Sequence, residues 1–336
     1  MTSNKRALIT GINGQDGYYL SKFLLEKGYE VFGLSRGGDS ILNNYPKDLI
    51  IRLHIVDGDL ENPESLRRAI EESNPDEIYN LAAISDLGSA IKDPEKTMRV
   101  NFEAVKELIN FAFSQNPKIK FCQASSREIF DPNEKAPQNE KTLTNPTNPY
   151  GVAKLRAQEE IALARARGMF ACSAIFFNHE SPKRGDKFVT KKITSTLAKI
   201  KHGQDIVLEL GNLNSKRDWG FAGDFMKAMW LIVQADMPDD FVIATGETHT
   251  VRDFVTLAAK SLGIDITWHG ENEGETGTNQ DGKIIVKVNP DFFRPLEKFD
   301  TVGDITKAKT ILGWQPETSF KELVSMMTKS DFVSIK

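Results

Sequence analysis

Short apolar runs alternate with amphipathic segments over the first 177 residues of the chain. Each apolar run is almost unbroken, which is typical of a strand buried on both faces of a parallel sheet. The amphipathic segments carry apolar residues three and four positions apart, as a helix packed on a core requires. The alternation predicts strands near 6–10, 31–34, 50–56, 77–83, 118–123 and 170–177. It predicts helices at 17–28, 62–73, within 93–114 and at 149–168. Together they indicate an α/β fold with a doubly wound parallel sheet.

The rhythm changes after residue 177, where a basic and polar stretch contains a predicted helix at 190–202. An apolar helix at 221–234 and a strand at 241–244 then resume the first pattern. The stretch 270–283 is rich in Gly, Glu, Asn and Thr, and we expect it to be a flexible loop.

These changes predict two interleaved domains. Residues 1–177 plus about 218–246 would form the sheet domain. Residues from about 178–217 plus 247–336 would form a smaller mixed domain that covers the carboxyl edge of the sheet.

Composition adds a few exclusions. The chain has 336 residues and a net charge of -4, which argues against a nucleic-acid partner. Neither a signal peptide nor an apolar stretch of bilayer length is apparent, so we expect no membrane association. Cys122 and Cys172 lie in strand-like runs and are expected to be buried thiols, as in a reducing cytoplasm. The five histidines are not spaced as metal ligands, and we expect no metal.

Gly11, Gly14 and Gly17 lie between the first predicted strand and the first helix. Glycine there permits a tight turn and close approach to a pyrophosphate, which the free N–H groups of the helix start can bind. The position of the triplet favours this interpretation over a simple packing turn. The G-x-x-G-x-x-G spacing is that of the short-chain dehydrogenases/reductases. The expected cofactor site also includes Asn13, Gln15 and Asp16.

Arg36 follows the second strand, where a carboxylate would accept the ribose hydroxyls of NAD. An arginine can pair instead with the 2′-phosphate of NADP, so we expect NADP rather than NAD. Asp39 nearby leaves NAD open, and an ordinary surface arginine is the competing interpretation. Further along, Asp59 and Leu60 are placed to hold the adenine, and Leu81, Ala82 and Ala83 to run beside the cofactor.

Tyr150 and Lys154 open the helix after the fifth strand, one turn apart on the same face. We expect the lysine to lower the pKa of the phenol and to hold the nicotinamide ribose. Ser126 ends the fifth strand, at the edge where ligands bind in this topology. Glu128 is more informative, because removing a proton next to a new carbonyl needs a base that simple oxidation does not. A local cap or ion pair with Arg127 is the competing interpretation.

Several further stretches are distinctive: GINGQDG at 11–17, NLAA at 80–83, QAS at 123–125, YxxxK at 150–154, FNHESPKR at 177–184, FVTKK at 188–192, GNL at 211–213 with KRDW at 216–219, ATGETH at 244–249 and FRP at 293–295. Together they resemble the GDP-mannose 4,6-dehydratase family, extended members of the short-chain dehydrogenases/reductases, over nearly the whole chain. The stretches after residue 177 are the most specific, because general sugar-nucleotide epimerases lack them.

The resemblance implies an NADP-dependent dehydratase acting on a GDP-sugar, with Ser126, Glu128, Tyr150 and Lys154 as its active-site set. It implies a homodimer or homotetramer, paired through the helices at 93–114 and 149–168. Further cofactor contacts would come from His179 and Arg184. The GDP-sugar would be held by Ser85, Asn178, Glu180, Val189, Lys192, Arg217, Arg294 and Glu297. Other basic residues nearby are interpreted as solvent-facing, namely Lys187, Lys191 and Lys201.

The chain departs from the family pattern where the sugar should lie. Ile84 and Asp86 replace a glutamine and a histidine, and Arg127 replaces a small residue. The preferred sugar therefore stays open: a GDP-heptose or GDP-amino sugar, an epimerase and a 4-keto reductase are alternatives to GDP-mannose dehydration. A dinucleotide sensor without turnover is a further alternative, but it would need only the glycine turn.

Overall fold

The computed structural model describes residues 4–37, 45–293 and 300–335. Its strands are β1 (Arg6–Thr10), β2 (Glu30–Ser35), β3 (Leu53–Asp57), β4 (Glu77–Asn80), β5 (Lys120–Ser126), β6 (Ala171–Phe176), β7 (Asn178–Glu180), β8 (Leu208–Leu210), β9 (Lys216–Arg217), β10 (Trp219–Phe221), β11 (Phe241–Ile243), β12 (His249–Thr250), β13 (Thr267–His269), β14 (Thr276–Thr278) and β15 (Ile284–Val288). Its α-helices are α1 (Gln15–Glu26), α2 (Lys47–Ile50), α3 (Pro63–Ser73), α4 (Leu87–Lys92), α5 (Pro94–Met98), α6 (Ala104–Gln115), α7 (Pro149–Ala166), α8 (Val189–Lys201), α9 (Ala222–Gln234), α10 (Val251–Ser261), α11 (Thr306–Leu312) and α12 (Phe320–Ser334).

Seven parallel strands form the main sheet in the order β11-β6-β5-β4-β1-β2-β3. The order reverses between β1 and β4, and ligands of doubly wound folds bind outside the strand ends at such a reversal. The predicted fold class is confirmed. Cys122 and Cys172 are neighbours in register on β5 and β6, both buried and unbonded, as expected.

Each face of the sheet carries its own apolar core. On one face, Leu20 and Leu24 of α1 pack with Phe225 and Met229 of α9. On the other face, α3, α6 and α7 bury side chains such as Leu66, Leu108 and Ile161. Burial on both faces explains why the strands read as nearly unbroken apolar runs.

A smaller layer lies beyond the main sheet. It contains a four-stranded sheet in the order β13-β14-β15-β8, and α8, α10 and α12 contribute to its apolar core. All strands of the main sheet fall within 1–177 and 218–246, the ranges proposed for the first domain, and the four strands of the second sheet fall outside them. The exact domain division stays a prediction. No helix in the described ranges is long and apolar enough to cross a membrane.

Three segments differ from expectation. The third strand begins at Leu53, because Lys47–Ile50 forms the short helix α2. The helix within 93–114 has a π-helical segment at Arg99–Glu103, between α5 and α6. The flexible loop predicted at 270–283 is wrong: β14 lies there and pairs with both β13 and β15. The Asn279 side chain accepts hydrogen bonds from the backbone of Asp281 and Lys283, so the polar composition belongs to an ordered surface hairpin.

Candidate active site

A cleft of about 1310 Å³ opens at the carboxyl ends of the main-sheet strands and runs to the start of α8. Of the predicted site residues that the structure describes, all but Gly17 line it. Arg294 and Glu297 lie outside the described residues, as does most of the loop after Arg36 that includes Asp39. The fold therefore brings together residues that are far apart in sequence.

The glycine turn has the geometry that close approach of a dinucleotide requires. Gly11 has a φ of +71°, and a Cβ there would lie 2.8 Å from the backbone nitrogen of Ala82. Gly14 is the N-cap of α1. A Cβ on Gly17 would lie 2.5 Å from the Gly11 carbonyl oxygen, so Gly17 packs the helix against the turn and does not face the cleft. These residues fit a bound pyrophosphate at the helix start.

The Arg36 guanidinium is exposed beside the cleft, with Nη1 4.0 Å from the Asp59 carboxylate. That position suits contact with a phosphate on the adenine ribose. Asn13 is held at the turn, because its side-chain amide donates a 2.8 Å hydrogen bond to Ser35.

A buried polar ladder, which we did not predict, fixes the strand end beside the cofactor site. The hydroxyl of Thr10 donates to Asn80, and the Asn80 amide donates to Gln123 at 2.6 Å. The backbone N–H groups of Leu81 and Ala82 both donate to the Thr10 hydroxyl oxygen at 3.1 Å. Lone polar residues at the ends of otherwise apolar strands were the signal for this ladder in the sequence.

Asp16 and His179 are engaged with each other. The His179 Nε2 lies 3.0 Å from the Asp16 carboxylate, and Nδ1 lies 2.9 Å from the Phe177 carbonyl oxygen. Burial acts to raise the pKa of Asp16, but His179 outweighs it and holds that pKa below its ordinary value. Burial likewise opposes ionisation of His179, yet Asp16 raises the pKa of the imidazole. The Asp16–His179 pair therefore connects the start of α1 to β7 at the edge of the cleft.

Tyr150, Ser126 and Lys154 meet on one wall of the cleft. The Tyr150 and Ser126 side chains both line the cleft, and the Lys154 ammonium donates to the Ala124 carbonyl oxygen at 2.7 Å. Burial raises the pKa of Tyr150 to about 12 and lowers that of Lys154 to about 8. The expectation that Lys154 lowers the pKa of Tyr150 is not met here, because burial dominates and the ammonium, 5.7 Å from the ring centre, binds a carbonyl.

Glu128 lies on the same wall, with both carboxylate oxygens bonded. Arg127 donates to Oε1 through Nε at 2.9 Å and Nη2 at 2.6 Å, and the Asn148 amide donates to Oε2 at 2.9 Å. Burial acts to raise the pKa of Glu128, but Arg127, together with Asn148 and Arg217, outweighs it and lowers that pKa. The ion pair with Arg127 is thus present, and Glu128 still lines the cleft.

Among the predicted substrate residues that the structure describes, Ser85 follows β4, and the others lie on β7, β9 and the first turn of α8 at the other end of the cleft. Lys192 lies over the Phe292 ring, 4.6 Å from its centre. The Arg217 Nη1 donates to the Lys216 carbonyl oxygen at 2.6 Å. The buried Glu180 carboxylate accepts a 2.6 Å hydrogen bond from Thr190 and lies 3.0 Å from Arg184.

Two further side chains, Lys191 and Asp86, differ from the sequence-based interpretation. Lys191 was expected to face solvent, but its side chain is 15% exposed and pairs with Asp331 of α12. Asp86, expected to face the sugar, lines the cleft but uses its carboxylate to cap α4 by accepting from the backbone N–H and hydroxyl of Ser89.

Asn101 is a residue that sequence reasoning missed. It lies in the π-helical segment, where its side chain accepts a hydrogen bond from the Ile84 N–H at 2.8 Å and donates to the Ile84 carbonyl oxygen at 3.0 Å. It thereby holds the backbone of the segment that reaches the sugar end of the cleft. A buried asparagine within a helical pattern was the available signal.

Comparisons with known proteins identify the family of the chain. The family model described as GDP-mannose 4,6 dehydratase matches residues 8–327. The chain is 43% identical to the GDP-mannose 4,6 dehydratase of Dictyostelium discoideum, covering 99% of this chain and 97% of the relative. It is 44% identical to the Homo sapiens protein of that name, covering 97% and 91%.

Among solved structures, a UDP-glucose 4-epimerase from Thermotoga maritima has a TM-score of 0.82 at 21% identity, covering 98% of this chain and 99% of that one. Its low identity shows a shared fold alone. The family match spans nearly the whole sequence and includes the cleft described above. The chain belongs to the GDP-mannose 4,6-dehydratase family.

Proposed function

We propose that this protein is a GDP-mannose 4,6-dehydratase that converts GDP-mannose to GDP-4-keto-6-deoxymannose with bound NADP. The observation that carries the proposal is the presence of two sets of acid–base groups on one wall of the cleft. Tyr150, Ser126 and Lys154 suit oxidation of a hydroxyl, and Glu128 suits loss of water from the resulting ketone. An epimerase or a sensor has no use for the second set.

The residues at the glycine turn, Arg36 and the end of β4 would hold the cofactor. When bound, NADP⁺ would accept a hydride from C4 of the sugar and return it to C6. Tyr150 would take the O4 proton in its phenolate form, and Ser126 would hold that oxygen through a hydrogen bond. Lys154, whose pKa is about 8, is placed to hold the nicotinamide ribose.

Glu128 acts after the ketone has formed. The C5 proton of an unreacted hexose is too weakly acidic for a carboxylate to remove, but next to a C4 ketone the resulting anion is delocalised. Glu128 then takes this proton and donates it to the departing C6 oxygen, which leaves as water. The lowered pKa of Glu128 keeps the carboxylate ionised before this step.

The GDP moiety is assigned to the far end of the cleft. Arg217 and Arg294 would grip the diphosphate through paired N–H groups, and Lys192 adds a point charge. Glu297 suits the ribose hydroxyls. A homodimer or homotetramer and a cytoplasmic location complete the proposal, on the strength of the family and of the helix pair described at 93–114 and 149–168.

The Glu128→Gln variant tests this mechanism. It keeps the shape of the side chain but loses the base, so C4 oxidation should proceed while dehydration falls by about 100-fold or more. With GDP-mannose bound, NADPH absorbance should accumulate, and both product release and solvent deuterium entry at C5 should collapse. Tyr150→Phe should give neither NADPH nor product. A Glu128→Gln variant that forms deoxy product at nearly the normal rate would overturn the mechanism.

A further inference from the structure

Two side chains bind the Glu128 carboxylate on opposite sides, and they do so unequally. Arg127 directs two N–H groups at Oε1, whereas Asn148 directs one at Oε2. Each carboxylate oxygen has about two acceptor sites. Among the described residues, Oε1 therefore has both sites occupied, and Oε2 retains one.

Asn148 also joins Glu128 to the helix that carries Tyr150. Its side-chain oxygen caps α7 by accepting a 2.9 Å hydrogen bond from the Gly151 N–H, while its amide nitrogen holds Glu128. The backbones touch as well, since a Cβ on Gly151 would lie 2.3 Å from the Glu128 carbonyl oxygen. The Asn148 side chain and this backbone contact together fix Glu128 relative to the helix that carries Tyr150.

We propose that Asn148 and Arg127 are positioning residues for the dehydration step, and that Oε2 is the atom of Glu128 that receives the C5 proton. The inference rests on the proposed function. In the step, the C5–H bond breaks, the proton goes to Oε2, and the electron pair moves toward the C4 carbonyl oxygen. The electron pair then returns to form a C5=C6 double bond as the C6–O bond breaks, and the departing C6 hydroxyl group takes the proton from Oε2 and leaves as water.

The charges around Glu128 give the two residues different tasks. The titratable and charged side chains near the Glu128 carboxylate are Arg127, which precedes it in sequence, Arg217 of β9 and Tyr150 of α7. Burial acts to raise the pKa of Glu128, and Arg127 contributes most to lowering it, whereas uncharged Asn148 contributes a single hydrogen bond that fixes the direction of Oε2. Losing Arg127 should change the pH dependence of dehydration, and losing the Asn148 amide should change its maximal rate.

Three substitutions at Asn148 separate its two hydrogen bonds. Asn148→Ser keeps a helix cap but is too short to reach Glu128, and Asn148→Ala lacks both hydrogen bonds. Asn148→Asp keeps the cap and the length but replaces the donor with a second carboxylate, so it should also raise the pKa of Glu128. With GDP-mannose, the Ser and Asp variants should retain NADPH formation from C4 oxidation within about twofold. Their kcat for 4-keto-6-deoxy product should fall by about 10- to 100-fold with little change in KM. The Ala variant should also slow C4 oxidation.

Arg127→Ser should move the acidic limb of solvent deuterium entry at C5 upward by about one pH unit or more, because Glu128 loses its cationic partner. The acidic limb of C4 oxidation should stay in place. Arg127→Lys should restore most of the shift, and Arg156→Ser, at an exposed arginine of α7 paired with Glu159, should leave both limbs unchanged.

The outcomes separate this inference from the function on which it rests. Variants that resemble wild type, or that slow both steps equally without moving the acidic limb, overturn the positioning roles. A wild-type protein that yields neither NADPH nor 4-keto product from GDP-mannose overturns the proposed function itself.

Discussion

Arg36 is the residue that we expect to select between NADP and NAD. It follows the last residue of β2 and extends into solvent, 4.0 Å from Asp59, so its charge is available to a ligand at the cleft mouth. In NAD that place holds a neutral ribose hydroxyl, and in NADP it holds a phosphate. The difference between the two ligands is therefore concentrated at a single residue.

Arg36→Ala should weaken NADP binding by about tenfold, equivalent to about 1.4 kcal/mol, and leave NAD binding nearly unchanged. Calorimetric titration of both cofactors against wild type and variant measures the two effects. An equal loss for both cofactors would contradict the assignment of Arg36 to the 2′-phosphate.

At this scale, sequence reasoning identified residues by chemical type and position but did not identify their partners. The glycine turn, Tyr150 and Lys154 were predicted because their spacing along one turn or one helix is local. The Asn148–Glu128 hydrogen bond spans 20 residues, and the Asn101–Ile84 pair spans 17. Such contacts depend on how the elements pack, and no local pattern encodes them.

At the scale of elements, α8 joins the substrate end of the cleft to the C-terminal helix. Its first residue, Val189, and Lys192 line the cleft, while Lys191 and Thr194 both bind Asp331 of α12. Asp331 is buried, and its Oδ2 accepts a 2.6 Å hydrogen bond from Thr194. Lys191 and Asp331 are 140 residues apart in sequence, so no local pattern indicated their ion pair and Lys191 was interpreted as a surface residue.

Asp331→Ala should lower the free energy of unfolding by about 3–5 kcal/mol, because it leaves the Lys191 ammonium largely buried without its partner. It should also raise KM for the GDP-sugar, because α8 loses its anchor. Urea unfolding and steady-state kinetics measure the two effects.

Two further variants control for this effect. Lys191→Met combined with Asp331→Leu should recover most of the stability, because an apolar pair replaces the charges. Glu26→Ala, at an exposed pair with Lys22, should cost no more than about 0.5 kcal/mol. If Asp331→Ala lowered the free energy of unfolding by no more than Glu26→Ala does, the buried Lys191–Asp331 pair would not anchor α8 to α12.

Elements were the scale at which the sequence was most informative, since a buried parallel strand and an amphipathic helix have different periodicities. The error at 270–283 has a physical cause. Composition alone does not distinguish a mobile polar loop from a short hairpin whose strands pair on both sides. The π-helical segment was also not predicted, because its side-chain contact between Asn101 and Ile84 joins two segments that no local pattern connects.

At the scale of the whole molecule, the oligomeric state can be tested directly. Leu163 of α7 is 56% exposed in the single chain, although it is a large apolar residue on one of the two helices expected to pair. Sedimentation at micromolar concentration should show at least a dimer, and Leu163→Glu should shift the distribution toward monomer. A clean monomer for the wild-type chain would contradict the dimer.

The smaller sheet joins two chain segments that the main sheet separates. β8 pairs with β15, yet α9 and β11, which lie between them in sequence, belong to the main fold. The part of the cleft wall formed by β8 therefore cannot be exchanged between relatives as one contiguous segment. A productive chimaera would have to replace the segments around β8 and β15 together, so that their pairing is kept.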